Sequence, residues 1–402
     1  MSQNALPAHV AVVGSGLAGL RTATALRTHG YPGSITLLGS DGVRPYDRPP
    51  LSKELLSRTE PLWLETELDV DLAEAVTDVR LHDPAIQFSA DELRLGLASG
   101  ATLTPDAVVL ACGSAPINPW PESALVLHTA ADADALRARL APGVRLAIVG
   151  AGWIGAEVAG VAAEAGVQVQ VLESADEPLA RQLPAELGVR IRPWYAQAGV
   201  ELRTGNAVSA VTADGVELAD GQLLAADVVL TAVGVRPDTG WLSEAVPLTP
   251  SGHVPTDTTG RTQVPGVWAV GDCAHRDHPT FGAVPGGHWS AALHDPDTLA
   301  RAMLGLDHAG AQPAPFIYST QLGHHLSVFG RLDGELLLRE QAGGAGWTAL
   351  VLDEDVLVGA VVADQPREVS AVRKLLGSAA LPRLDLQLAA DPGVNLRKAV
   401  LR

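Results

Sequence analysis

The stretch His9–Asp41, "HVAVVGSGLAGLRTATALRTHGYPGSITLLGSD", decides the fold. A short apolar run of strand character enters a turn through Gly14, Gly16 and Gly19; apolar residues then recur at helical spacing, and a second apolar run closes the stretch. Strand, glycine turn, helix and strand in that order form a βαβ unit, in which a crossover helix joins two parallel strands. Val144–Ser174, "VRLAIVGAGWIGAEVAGVAAEAGVQVQVLES", repeats the plan through Gly150, Gly152 and Gly155.

The glycine spacing has a chemical reading. In a G-x-G-x-x-G turn that opens a helix, the first glycine permits the tight turn, the second lets a pyrophosphate approach the backbone, and the third lets helix and strand pack closely. The helix N-terminus adds its positive dipole. Each copy is followed, near the offset of roughly 20 residues at which a carboxylate meets a ribose, by an acidic residue: Asp41 in the first and Glu173 in the second. No Arg or Lys stands in "ESADEP" (173–178), so a ribose 2′-phosphate there would face carboxylates, and the second site is expected to prefer NADH to NADPH. Two dinucleotide sites in one chain imply a flavin, FAD, taking electrons from NADH, because apposed sites allow hydride transfer.

Other segments complete the plan. "DAVVLACGSAP" (106–116) and "DVVLTAVGVRPD" (227–238) read as two versions of one closing strand, and "VPGVWAVGDCAH" (264–275) as a third apolar strand whose Gly271-Asp272 end suits a polyol chain. "HAGAQPAP" (308–315) reads as a linker. Beyond it come short strands, a hairpin centred on Asp353-Glu354-Asp355, and the helix "REVSAVRKLLGS" (367–378). The expected fold is α/β, with two Rossmann-like dinucleotide-binding domains and a C-terminal α+β domain. Expected boundaries are 1–115 with 236–308 for the FAD domain, 116–235 for the NAD domain, and 311–402 for the last.

Composition agrees. The chain has 402 residues, 47% hydrophobic and 18% charged, which suits a folded protein of several domains. A formal charge of −18 argues against nucleic-acid and anionic-membrane partners. The run from Leu146 is interrupted by Glu157 and glycines, so no membrane span is expected, and without a basic segment before the first apolar run a cytoplasmic location is the default. Cys112 and Cys273, the only cysteines, lie far apart in sequence and suggest no disulfide framework; Cys273, His275 and His278 lack a fourth ligand for a metal.

The order "VVGSGLAG", "PYDRPPLSK", "VVLACGSAP", "IVGAGWIGAEVA", "LTAVGVRPD", "VWAVGDCA" resembles the FAD-dependent ferredoxin reductases of Rieske oxygenases and haem-thiolate monooxygenases, the putidaredoxin reductase-like group. The resemblance spans nearly the whole chain. It implies a reductase that passes electrons from NADH through FAD to a 2Fe-2S ferredoxin, and so indirectly to a monooxygenase or dioxygenase, acting as a monomer or homodimer. It also implies a proline-stiffened loop beside the flavin, in which Arg48 helps bind FAD and Lys53 stands near a glutamate, here Glu157, as the catalytic pair.

Further FAD positions implied by the resemblance are Leu17, Ala18, Ser40, Val76, Ala111, Cys112, Gly113, His128, His288, Trp289 and Tyr318. On the NAD side they are Trp153, Ile154, Ala232, Val233 and Gly234.

Several positions depart from that pattern. Ala111-Cys112-Gly113 replaces Ala-Thr-Gly, His128 replaces an arginine, and Tyr318-Ser319-Thr320-Gln321 replaces Trp-Ser-Asp-Gln. Gly287 stands where Glu commonly precedes His-Trp, and Asp295-Pro296 replaces Gln-Gly, so the helix there is expected to break, with Asp295 as cap and Pro296 at the first helical position. Arg331, Arg367, Arg373 and Lys374 are candidates for a local basic docking patch. Two other functions fit the same folds: an NADH oxidase, disfavoured because "PYDRPPLSKELL" carries no cysteine, and a flavin- and NADH-binding interaction protein with weak reductase activity.

Overall fold

The computed structural model describes residues 6–242, 244–307, 312–340, 344 and 346–401; part of the 308–315 linker and the boundary positions 308 and 311 lie outside them. Within the first unit the strand His9–Val13 pairs in parallel with Ser34–Leu38 on one side and Ala107–Leu110 on the other. Asp78–Arg80 and Val267–Ala269 extend this to five parallel strands. The second sheet repeats the arrangement: Arg145–Val149 lies between Gln168–Leu172 and Val228–Thr231, with Glu201–Arg203 at the edge. Continuous burial of the central strands on both faces explains why they read as unbroken Val/Ile/Leu runs and not as alternating ones. The two closing strands do pair alike in the two sheets.

Between the sheets the chain crosses twice. The crossings, Ser114–Pro116 and Val235–Pro237, pair antiparallel, Ser114 opposite Pro237.

The C-terminal part is a five-stranded antiparallel sheet in the order Phe316–Gln321, His324–Gly330, Val356–Ala363, Trp347–Asp353, Glu335–Glu340, packed with the helix Pro366–Leu376. The α/β fold with a C-terminal α+β unit is as expected. The Asp353–Asp355 hairpin is present, with Glu354 at φ 56 in its turn. One apolar core runs from Leu146, Ile148 and Val158 to Leu326, Val328 and Val361, so the second nucleotide unit and the C-terminal sheet are packed as one mass.

The expected helix break is absent. Trp289–Met303 is a single helix that runs through Pro296, and its cap is the side chain of His288, which accepts from Ala291 N. Proline removes the hydrogen bond that would reach Ala292 O, a cost of about 3 kcal/mol. Two arginine ion pairs, the His29–Asp297 hydrogen bond and the burial of Pro296 oppose that cost. Asp295 is not a cap: it meets Arg276 at 3.1 Å, while Asp297 is held by His29 at 2.7 Å and Arg301 at 3.0 Å.

Candidate functional site

Both glycine turns open onto one groove of about 950 Å³, at the upper end of the size usual for small-molecule sites. Gly14 (φ 116) and Gly150 (φ 108) make the turns; a Cβ on Gly14 would stand 2.0 Å from Ala111 O, and one on Gly150 2.4 Å from Ala232 O. Gly19 and Gly155 do not reach the groove. A Cβ on either would collide with the carbonyl of the first glycine of its own turn, so they serve helix packing.

The floor of the groove near the first turn is built from Gly14, Gly16, Leu17, Ala18, Ala111, Cys112 and Gly113. Its rim carries a knot of polar groups. Asp41 accepts from Ser40 Oγ at 3.1 Å, from Tyr46 OH at 3.2 Å and from Arg48 Nη2 at 3.4 Å. Arg48 Nη1 contacts His128 Nε2. Burial, followed by the Arg48 charge, holds the His128 imidazole down at about 4, so at neutral pH it is uncharged and accepts from Arg48. Where an arginine would add a second cation, histidine gives Arg48 an acceptor.

At the opposite wall Asp272 accepts from Ser114 Oγ at 3.0 Å. His288 and Trp289 line the groove from the start of the Trp289–Met303 helix, and Trp289 Nε1 donates to Asp47 Oδ1 at 2.9 Å. This bond ties the proline loop to that helix, and burial pushes the Asp47 carboxyl up. Gly271 lines only a small neighbouring cavity of about 20 Å³. Val76 is not at the site; it is 3% exposed within the core of the first sheet.

Around the second turn Gly150, Gly152, Trp153, Ile154, Ala232, Val233 and Gly234 line the groove. Glu173 accepts from Ala151 N at Oε2 and from Ala175 N at Oε1, each at 2.9 Å. Its carboxylate is thereby fixed at the end of its strand. Arg181 also lines this part, and its Nη1 lies 3.4 Å from Val233 O. Arg181 stands beyond 173–178, the segment whose lack of cations gave the expected NADH preference.

Lys53 and Glu157 line the same groove, one from the short helix Pro50–Lys53 and the other from the helix Trp153–Glu164. Lys53 Nζ donates to Glu157 Oε1 at 2.6 Å, and also lies 5.1 Å from the centre of the Tyr318 ring. Glu157 is 4% exposed and Lys53 20%. Ser52 Oγ and Ser319 Oγ each donate to Glu157 at 2.5 Å. Neither serine was singled out from sequence, although Ser52 stands in the proline loop itself.

Cys112 in the groove floor packs on the buried Cys273 behind it, distant in sequence, both as free thiols. The neighbouring Cys273 thiol, then burial, pushes the Cys112 thiol up, so it stays protonated.

Residues 8–294 match the family model of the pyridine nucleotide-disulphide oxidoreductases, and 316–400 that of the reductase C-terminal domain. The chain belongs to the pyridine nucleotide-disulphide oxidoreductase family. Among relatives of this oxidoreductase, the benzene 1,2-dioxygenase system ferredoxin–NAD(+) reductase subunit of Pseudomonas putida is 33% identical, over 98% of this chain and 97% of its own. The ferredoxin reductase for the CYP199A2 system from Rhodopseudomonas palustris superposes with a TM-score of 0.89 at 27% identity, covering 98% of this chain and 100% of that one. The covalent putidaredoxin reductase–putidaredoxin complex gives 0.88 at 26%, covering 97% of both chains.

The cofactors of this oxidoreductase are FAD and NAD(H), and the groove fits both. A Cβ added to Gly16, Gly113, Gly234 or Gly287 would meet no atom within 4 Å, so backbone is open to a ligand at each turn. Among the described residues the buried His288 Nε2 has no partner, which leaves a polar atom for the ligand to satisfy.

Proposed function

We propose that this chain is the NADH-dependent reductase of an oxygenase system, passing electrons to a 2Fe-2S ferredoxin. The observation that carries the reading is the single groove joining the two glycine turns, with the Lys53–Glu157 pair on its wall. FAD, when bound, supplies the exchange between a two-electron donor and a one-electron acceptor. The chain supplies placement. Gly14, Gly16 and the helix behind them hold the flavin dinucleotide, with Asp41 and Arg48 at its rim and Asp272 at its polyol chain.

Gly150, Gly152 and Glu173 hold NADH; the fixed Glu173 carboxylate accepts ribose hydroxyls and repels a 2′-phosphate. Lys53 and Glu157 put opposite charges where the nicotinamide enters and orient it without adding net charge. Trp289, locked by Asp47, and Tyr318 wall the site against water.

In this reading the FAD domain is 1–115 with 236–308, the NAD domain is the inserted 116–235, and 311–402 form the interface domain. The paired crossings at Ser114–Pro116 and Val235–Pro237 support the insertion. Ferredoxin docks beside the C-terminal domain, where Arg367, Arg373 and Lys374 are exposed; Arg331 contributes less, because Asp333 and Asp353 already pair with it at 3.3 Å. Among the described residues no helix is long and apolar enough to cross a membrane, and the proposed location is the cytoplasm, as a monomer or homodimer.

Anaerobic titration of the purified yellow protein with NADH, followed by mixing with 2Fe-2S ferredoxins, tests the proposal. Bleaching of the flavin band by NADH and its recovery on adding ferredoxin are expected. A colourless protein, or a flavin that NADH leaves oxidised, overturns it.

A further inference from the structure

Glu157 is gripped by three donors from two separate parts of the chain. Ser52 Oγ donates to Oε2, while Lys53 Nζ and Ser319 Oγ both donate to Oε1. Ser319 is 2% exposed and belongs to the strand Phe316–Gln321 of the C-terminal sheet, not to either nucleotide unit. Its own oxygen accepts a long hydrogen bond, 3.4 Å, from Gln321 Nε2, which leaves its proton directed at the carboxylate.

The spacing that permits this contact is set one helical turn along. Gly160 follows Glu157 by three residues and so shares its face of the helix. A Cβ on Gly160 would stand 3.0 Å from both N and Cα of Leu322, the residue that leaves the strand at φ 54. With hydrogen at that position the helix and the C-terminal strand meet backbone to backbone, and Ser319 comes within reach of Glu157.

We propose that Ser319 is a positioning residue for the Lys53–Glu157 pair, with Gly160 setting its reach, so that the seating of the C-terminal sheet fixes the carboxylate opposite Lys53. Ser52 alone anchors Oε2; without Ser319, Oε1 is held only by Lys53, and the carboxylate gains freedom to turn away from the groove. The consequence for rate rests on the proposed reductase function, whereas the contact itself is measurable in the flavin-free chain.

The test is a double-substitution cycle, Ser319→Ala against Glu157→Gln, read twice. In the flavin-free protein, Ser319→Ala is expected to lower the thermal unfolding midpoint in the wild-type background and to change it little beside Glu157→Gln, because a hydrogen bond to a charged group is lost only in the first case. In the flavin-loaded protein, Ser319→Ala is expected to slow reduction by NADH about tenfold while the NAD+ dissociation constant changes by less than about threefold, a kcat effect from a lost charge-assisted bond. Ser319→Thr, which keeps the hydroxyl, is expected to recover most of the rate, and Gly160→Ala to reproduce the loss in part. Equal midpoint losses in the two backgrounds overturn the proposal, as does a Ser319→Ala protein reduced at the wild-type rate. If the wild-type flavin is not reduced by NADH at all, the reductase reading falls, and the midpoint cycle alone decides whether Ser319 holds Glu157.

Discussion

Replacing Lys53 by methionine keeps the length of the side chain and removes its charge, leaving the Glu157 carboxylate 4% exposed with no cation beside it. Breaking one partner of a buried ion pair costs roughly 3–5 kcal/mol. Lys53 is 20% exposed, so water reaches the pair from its side, and the Ser52 and Ser319 hydroxyls continue to solvate the carboxylate. Both effects reduce the cost, to about 2–4 kcal/mol. Adding Glu157→Gln removes the stranded charge and keeps an acceptor oxygen for one of the two serines, while the other hydroxyl can turn to accept from the amide NH2, so the double variant should return to within about 1 kcal/mol of wild type.

The assay is thermal unfolding of the flavin-free protein at neutral pH, followed by tryptophan fluorescence. The expected order of midpoints is wild type, then the double variant within about 1 °C of it, then Lys53→Met about 2–5 °C below wild type. A Lys53→Met protein that unfolds with wild type, or a double variant no better than the single, refutes the account of a desolvated pair.

Other outcomes follow from the same groups. Glu173→Ala should raise kcat/KM for NADPH relative to NADH by about tenfold, since it deletes a repulsive charge from the groove that Arg181 also lines; steady-state kinetics with both nucleotides check it, and a wild-type protein indifferent between the two removes the premise. His128, His278 and His288 are all held down at about 4, mainly by burial, so between pH 6.5 and 4 the unfolded chain binds these protons and the native one does not. Stability from them is full above pH 6.5 and is lost as pH falls. Asp295, pushed up by burial to about 6, works in the opposite sense over part of that window. These four groups together leave about two protons, a contribution of roughly 3 kcal/mol per pH unit lost near pH 5, visible in urea unfolding curves; curves that coincide at pH 7 and pH 5 contradict it. Lys374→Glu should raise KM for ferredoxin several-fold at low salt, with the difference shrinking as salt rises; a salt-independent KM counts against the patch.

The parts legible in the sequence are those where one local rule suffices. A glycine turn between a strand and a helix is such a rule, and both sheets and their closing strands follow from it. The Lys53–Glu157 contact came only from family resemblance, because nothing local relates residues so far apart. Ser319 lay further out of reach: it is an ordinary strand residue until the C-terminal sheet packs on the Trp153–Glu164 helix through Gly160.

Pro296 shows the converse. The local rule against proline in a helix is sound, but Asp295 and Asp297 are held by Arg276 and His29, and both partners come from other elements. Val76 rested on the family resemblance alone, and its side chain belongs to apolar packing. Arg181 lies beyond 173–178, the segment from which the nucleotide preference was read.

The adjacent crossings Ser114–Pro116 and Val235–Pro237 have a consequence for how such proteins diversify. Because the excursion departs and comes back through one antiparallel pair, its two cut points lie side by side. A coenzyme module of different preference can be spliced in at that doorway without shifting the strand register of the host sheet. What would limit such a graft is not the doorway but the apolar seam toward the C-terminal sheet, which any replacement would have to match.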